Sequence, residues 1–194
     1  MKIMEFNFKA EYENGCRQPS DINEHLPILL EACQDVEHVT EMGVRTGVSS
    51  LAFFYGDPKK YVAYDLKKDE RIEQMFEYAR SLGKDYEYIE SDVLEIEIEE
   101  TDLLFIDTYH CYEQLVRELE LHSRKVKRYI AFHDVYTYGR VGENLSNQKF
   151  VGTKGILYAI EEFLEKNPEW KIIHHVDYNN GLMIIEKRNN IENE

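Results

Sequence analysis

Apolar and polar positions along this chain follow two alternating periods. Short runs rich in β-branched and aromatic residues occur at His38–Met42, Tyr61–Asp65, Tyr86–Ser91, Leu103–Asp107 and Tyr129–His133. Each has the length and composition of a strand. Between and after them lie stretches with helical spacing, near Val48–Tyr55, Glu70–Leu82, Tyr112–Lys127 and Lys154–Lys166, the last closed by Asn167-Pro168. Strands separated by helix-length segments predict a parallel sheet with crossover helices. The C-terminal end departs from that repeat. Trp170–Asp177 and Gly181–Lys187 are two strand-like runs separated only by Tyr178-Asn-Asn180. So short a gap cannot hold a crossover helix, so these two strands pair antiparallel. At the other end, residues 1–20 read as polar and irregular. Ser20-Asp-Ile-Asn then reads as the capped start of a helix running through Leu26–Cys33, with Pro27 tolerated in its first turns. Residues 138–153 are rich in Gly and Asn and show no period. A loop of that length inside a compact domain predicts a lid or binding segment, or else a disordered stretch.

Composition narrows the field. At 194 residues the chain is expected to be one domain. It divides into an N-terminal extension and helix (1–35), a core (36–187) and a tail (188–194). An apolar fraction of 43% and an aromatic fraction of 12% are those of a folded globule. Thirty-eight acids against 23 bases give a net charge of −15. Such a surface repels phosphate backbones and anionic lipid, so nucleic acid and membrane are not expected as partners. The basic cluster Arg124-Lys-Val-Lys-Arg128 reads as cations complementing the dipole at a helix end. Cys16, Cys33 and Cys111 are odd in number and widely spaced, which predicts neither a disulfide framework nor a zinc site. No apolar run has signal-peptide or membrane-spanning length, and a soluble cytoplasmic protein is expected.

The chemistry gathers at strand ends, where open α/β sheets bind their ligands. The first strand run ends in Glu41, followed by Gly43 and Gly47, and the next ends in Asp65, roughly twenty residues past the first glycine, as in nucleoside pockets. Glycine lacks Cβ, so the backbone there can turn sharply and approach a ligand. Each acid also has a plainer role: Glu41 as an ordinary strand-end acid, Asp65 as a helix cap. Further along, Leu103–Asp107 leads into His110 across a strand-to-helix turn, and Tyr129–His133 leads into Asp134. Two carboxylates from adjacent strand ends suit Mg²⁺ or another hard divalent cation. His110 beside them can exchange a proton near neutral pH. The plainer readings are a helix cap for Asp107 and local hydrogen bonding for His110.

Glu41-x-Gly43-x-x-x-Gly47 resembles the first motif of class I S-adenosylmethionine (SAM) methyltransferases, with Arg45 where a middle glycine is common. Asp107-Thr-Tyr-His110-Cys-Tyr-Glu113, followed by a helix and Phe132-His-Asp-Val135, is similar to a metal-associated branch of that family which includes sugar O-methyltransferases. The resemblance spans Val36 to Lys187. It implies a Rossmann-like three-layer sandwich, α/β in class, with a mostly parallel seven-stranded sheet and a C-terminal antiparallel hairpin. It also implies SAM as cofactor and methyl transfer to a hydroxyl of a small-molecule acceptor, sugars included. By position, Glu41, Gly43 and Gly47 would line the methionine end of SAM, Asp65 would hold the ribose, and Asp92 would lie by the adenine. Asp107 would be the first ligand of a divalent cation, Asp134 a further one, and His110 the general base. The sugar enzymes carry Glu where His133 stands, so His133 would ligate a softer ion or orient Asp134. Tyr109, Tyr112, Tyr136 and Tyr138 would pack on a ring substrate. Two rivals stand beside this expectation. A nicotinamide-dependent oxidoreductase is disfavoured by the terminal hairpin and the lack of Gly-x-Gly-x-x-Gly; the other is a SAM-binding module without catalysis, as part of a homo-oligomer.

Overall fold

In the computed structural model, which describes residues 3–144 and 154–188, the seven runs form one sheet. The strands are β1 (His38–Met42), β2 (Lys60–Asp65), β3 (Asp85–Glu90), β4 (Thr101–Ile106), β5 (Val126–His133), β6 (Trp170–Val176) and β7 (Leu182–Lys187). Their order across the sheet is β3-β2-β1-β4-β5-β7-β6. The first five run parallel, and β7 lies antiparallel between β5 and β6. From β1 the chain works outward to β3, then returns to place β4 on the other side of β1. That reversal opens a crevice at the carboxyl ends of β1 and β4, where ligands of such sheets bind.

The helices are α1 (Phe8–Arg17), α2 (Leu26–Gln34), α3 (Ser50–Gly56), α4 (Glu70–Ser81), α5 (Tyr112–His122) and α6 (Ile156–Lys166). They cover both faces, and the core is accordingly double. Val39, Tyr61 and Phe105 pack with Leu29, Phe53, Ile72 and Phe76 on one side. Met42, Leu104, Ile106 and Phe132 pack with Leu115, Leu119, Ile156 and Ile160 on the other. Successive strand residues point to opposite faces, so strands covered on both sides are apolar at nearly every position.

The structure corrects several local expectations. Residues 8–17, expected to be irregular, form α1: the Asn7 side chain caps it by accepting the Ala10 N–H (3.0 Å), and Phe8, Tyr12 and Cys16 recur every fourth residue against the core. The helix expected over 112–127 stops at His122. Ser123–Lys125 make a 3₁₀ turn, and Val126 already opens β5. Only Arg124 and Lys125 of the basic cluster thus sit at a helix end, in the 3₁₀ turn, while Lys125, Lys127 and Arg128 pair with Glu97, Glu100 and Asp35. Lys154 precedes α6, bridging Val141 in an isolated antiparallel contact. Of the 138–153 segment, 145–153 lie outside the described residues. Among the described residues no helix is long and apolar enough to cross a membrane.

Candidate active site

The turn after β1 is built from backbone in the left-handed region. Gly43, Arg45 and Gly47 have φ of 87°, 50° and 72°. A Cβ on Gly43 would lie 2.0 Å from the Asp107 carbonyl oxygen, so glycine lets the ends of β1 and β4 close together. At Gly47 a Cβ would meet Ile72 Cδ1 at 2.2 Å, so this glycine serves the packing of α4. Asp65 staples the turn to β2: its Oδ2 accepts the N–H of Val44 and of Arg45, both at 2.7 Å. Arg45 holds its left-handed backbone with that bond and an ion pair from its guanidinium to Asp21 (2.6 Å).

Glu41 does not reach the cleft. It is fully buried, and its carboxylate accepts from the hydroxyls of Ser49 (2.5 Å), Ser50 (2.7 Å) and Tyr61. It shares strand parity with Val39 and faces α3. Burial pushes its carboxyl up to about 7, against the pull of the three hydroxyls. Neither Glu41 nor Gly47, both expected at the methionine end of a cofactor, lines the cleft; the structure shows both supporting the turn from behind. Gly43, Asp65 and Asp92 do line the cleft, which has a volume of about 380 Å³, within the range of small-molecule sites. Asp92 caps its own turn through the Leu94 N–H (2.9 Å).

Asp107, His110, Asp134 and Glu143 form the far end of the same cleft. His110 Nε2 lies 3.1 Å from Asp107 Oδ1 and 3.1 Å from Asp134 Oδ2, while its Nδ1 lies 3.0 Å from Glu143 Oε2. Burial opposes a charge on the ring, but these carboxylates outweigh it and push His110 up to about 9. Asp107 in turn, against the effect of burial, is held well below the usual carboxylate range by His110 and His133. One ligand atom from each of Asp107, His110 and Asp134 lies within 4.8 Å of the others, a spacing that suits a divalent cation. Asp134 strengthens that fit. Its backbone sits at φ 60°, and its buried Oδ1 has no hydrogen-bond partner among the described residues.

His133 is not part of that set, contrary to the expectation of a metal ligand. Its Nδ1 lies 3.2 Å from Asp107 Oδ1, and its Nε2 lies 3.1 Å from the Asp21 carbonyl and 3.4 Å from that of Asn179. Oxygen acceptors face both nitrogens, so both carry hydrogen; burial resists the charge, but Asp107 and Asp134 push the ring up to about 10. His110 takes its place among the candidate ligands. Two participants escaped the sequence reading. Glu143 lay in a stretch without period, and Glu118 sits fully buried beneath the His110 turn, accepting from Thr108 (2.6 Å) and Gln114 (2.8 Å). The helical period marked Glu118 as inward-facing, whereas no local signal marked Glu143. Tyr138 stacks on His110, whereas Tyr112 turns away to Glu162 and Tyr136 lies exposed.

The sequence matches no family model and no curated protein. Solved structures do match. An O-methyltransferase from Bacillus cereus in complex with S-adenosylhomocysteine (SAH) shares 13% identity over 96% of this chain and 93% of its own, with a TM-score of 0.63. The SAH-bound Podospora anserina methyltransferase PaMTH1 shares 17% identity over 96% and 89% (TM-score 0.58). The N-methyltransferase NodS from Bradyrhizobium japonicum shares 12% over 87% and 97% (TM-score 0.59). The fold is therefore the Rossmann-like α/β fold of class I methyltransferases, with its seven-stranded sheet and antiparallel C-terminal strands.

Proposed function

We propose that this protein is a SAM-dependent methyltransferase acting on a hydroxyl of a small molecule, sugars among the candidate acceptors. One observation carries the reading: a nucleoside-type turn and an Asp-His-Asp cluster line one cleft at the switch point of a methyltransferase fold. Gly43 gives a bound nucleoside close access to backbone, Asp65 accepts from ribose hydroxyls, and Asp92 lies on the adenine side. SAM supplies an electrophilic methyl group, leaving SAH and a proton as the other products. The carboxylates of Asp65, Asp92, Asp107, Asp134 and Glu143 favour a cationic donor over its neutral product. Asp107, Asp134 and His110 would hold a divalent cation, Mg²⁺ or a softer ion such as Mn²⁺, which when bound acidifies and orients an acceptor hydroxyl. His110 is surrounded by carboxylates and carries its own proton near neutral pH, so it acts as a base only once Nε2 is free of hydrogen. Catalysis then rests chiefly on holding the acceptor oxygen in line with the methyl group. The three free cysteines agree with a reducing cytoplasmic setting.

Calorimetric titration with SAH and NADH, followed by turnover of SAM with a panel of hydroxylated acceptors, tests the proposal. SAH should bind more tightly than NADH, and Asp107→Asn should lower turnover by about 10²–10⁴ while SAH affinity holds. Tighter NADH binding ends the reading. SAH binding without transfer to any acceptor would mark a binding module instead.

A further inference from the structure

We infer that Glu143 is a positioning residue that fixes the orientation and tautomer of His110, keeping Nε2 aimed at Asp107 and Asp134. The inference rests on reading Asp107, His110 and Asp134 as a cation site, and its test separates the two.

Glu143 is held against the His110 turn by its backbone as well as its side chain. Its N–H donates to the His110 carbonyl (2.8 Å), and its own carbonyl accepts from the Tyr109 hydroxyl (2.7 Å). Gly142 permits this approach, since a Cβ there would lie 2.5 Å from the Lys154 carbonyl oxygen and 3.3 Å from that of His110. With the backbone so placed, Glu143 Oε2 reaches His110 Nδ1 at 3.0 Å. Tyr138 closes one face of the imidazole, with ring centroids 5.0 Å apart and planes 7° from parallel. The ring is gripped at one nitrogen and one face, and the nitrogen left over points at two carboxylates.

That arrangement has a chemical consequence. A histidine can ligate a cation, or take a proton, through one ring nitrogen only while the other keeps its hydrogen. An ionised carboxylate accepts hydrogen bonds and donates none, so Glu143 keeps the hydrogen on Nδ1, and Nε2 would be the atom offered to a cation that displaces its hydrogen. Carboxylates in this position orient a ligating ring and raise the basicity of its free nitrogen. Because the backbone contacts of Glu143 do not depend on its side chain, shortening or neutralising that side chain tests orientation without dismantling the segment.

The experiment uses the full chain, with Mn²⁺ affinity measured by electron paramagnetic resonance and His110 ring shifts read from ¹⁵N-histidine-labelled protein. Circular dichroism melts verify folding of each variant. Glu143→Leu should weaken Mn²⁺ binding by about 10–100-fold. Glu143→Gln, whose amide oxygen still accepts the Nδ1 hydrogen, should lose less. In Zn²⁺-saturated protein the hydrogen should sit on Nδ1 in wild type and Glu143→Gln, and Glu143→Leu should show altered His110 shifts. Unchanged Mn²⁺ affinity together with unchanged His110 shifts in Glu143→Leu would overturn the inference. Failure of the wild type to bind Mn²⁺ would end the cation reading instead. The His110 shifts without metal then decide the role of Glu143 alone: a change in Glu143→Leu supports it, and no change ends it.

Discussion

The two ends of the cleft spend their charges differently. At the β1–β2 end, acids serve the scaffold: Glu41 gathers three hydroxyls behind the turn, and Asp65 accepts three backbone N–H groups. At the β4–β5 end, Asp107, His110, His133, Asp134 and Glu143 face one another, and among the described residues Asp134 Oδ1 is left without a partner. The first end resembles a finished piece of folding, with its polar groups satisfied internally. The second keeps bonding capacity in reserve, with ionisable side chains crowded together and one buried oxygen unpaired among the described residues.

The sharpest way to break this contrast is Gly43→Ala. The new Cβ meets the Asp107 carbonyl oxygen and the backbone stays in the left-handed region, so urea denaturation should show a loss of at least about 3 kcal/mol. A loss below about 1 kcal/mol would mean that the turn yields easily and is not rigid scaffold.

Titration separates the ends next. Glu41, pushed up to about 7, keeps its proton in the folded protein after the unfolded chain has released its own. Its contribution therefore makes stability fall as pH rises from about 4.5 to 7 and then level off. Glu118, also pushed by burial to about 7, acts in the same window. His110 and His133, raised to about 9 and 10, stabilise fully below about 6.5 and lose that contribution as pH rises through those values. Thermal melts across pH should show both windows. Glu41→Gln should flatten part of the lower one and Asp107→Asn most of the upper. A single window removed by either variant would merge the two ends into one electrostatic unit.

Smaller effects refine the picture. Asp65→Asn should weaken SAH binding by about 1–3 kcal/mol by calorimetry, since it alters an acceptor shared by the turn and the cofactor reading. Arg45→Ala removes an ion pair whose arginine side chain is 71% exposed, so stability should change by about 0.5 kcal/mol or less. A larger loss would show that this pair, rather than Asp65, holds the turn.

Most of the sheet was legible because strands buried on two faces are apolar throughout, and the short Tyr178–Asn180 gap dictated the final antiparallel pair. The parts that escaped depend on distant partners. Phe8, Tyr12 and Cys16 carry a helical spacing, but mostly polar neighbours hid it. Glu41 was visible as a strand-end acid, yet its direction follows from parity against Val39, which a motif does not convey. Asp107, His110 and Asp134 stood out at strand ends. Glu143, Asp21 and Asn179 enter from loops, where no period predicts which carbonyl or carboxylate will meet which ring.

The contacts of His133 bear on how the chain comes to life on the ribosome. Its Nε2 meets carbonyls of Asp21, near the beginning, and Asn179, between the last two strands. These partners lie 112 residues before and 46 residues after His133, the kind of long-range closure that forms late in folding. A nascent chain can lay down β1 to β5 and still lack the turn that completes the surroundings of His133. The surroundings of His133 are thus finished only when the β6–β7 hairpin docks, so a product truncated before that hairpin should retain the turn after β1 without the contacts that hold His133.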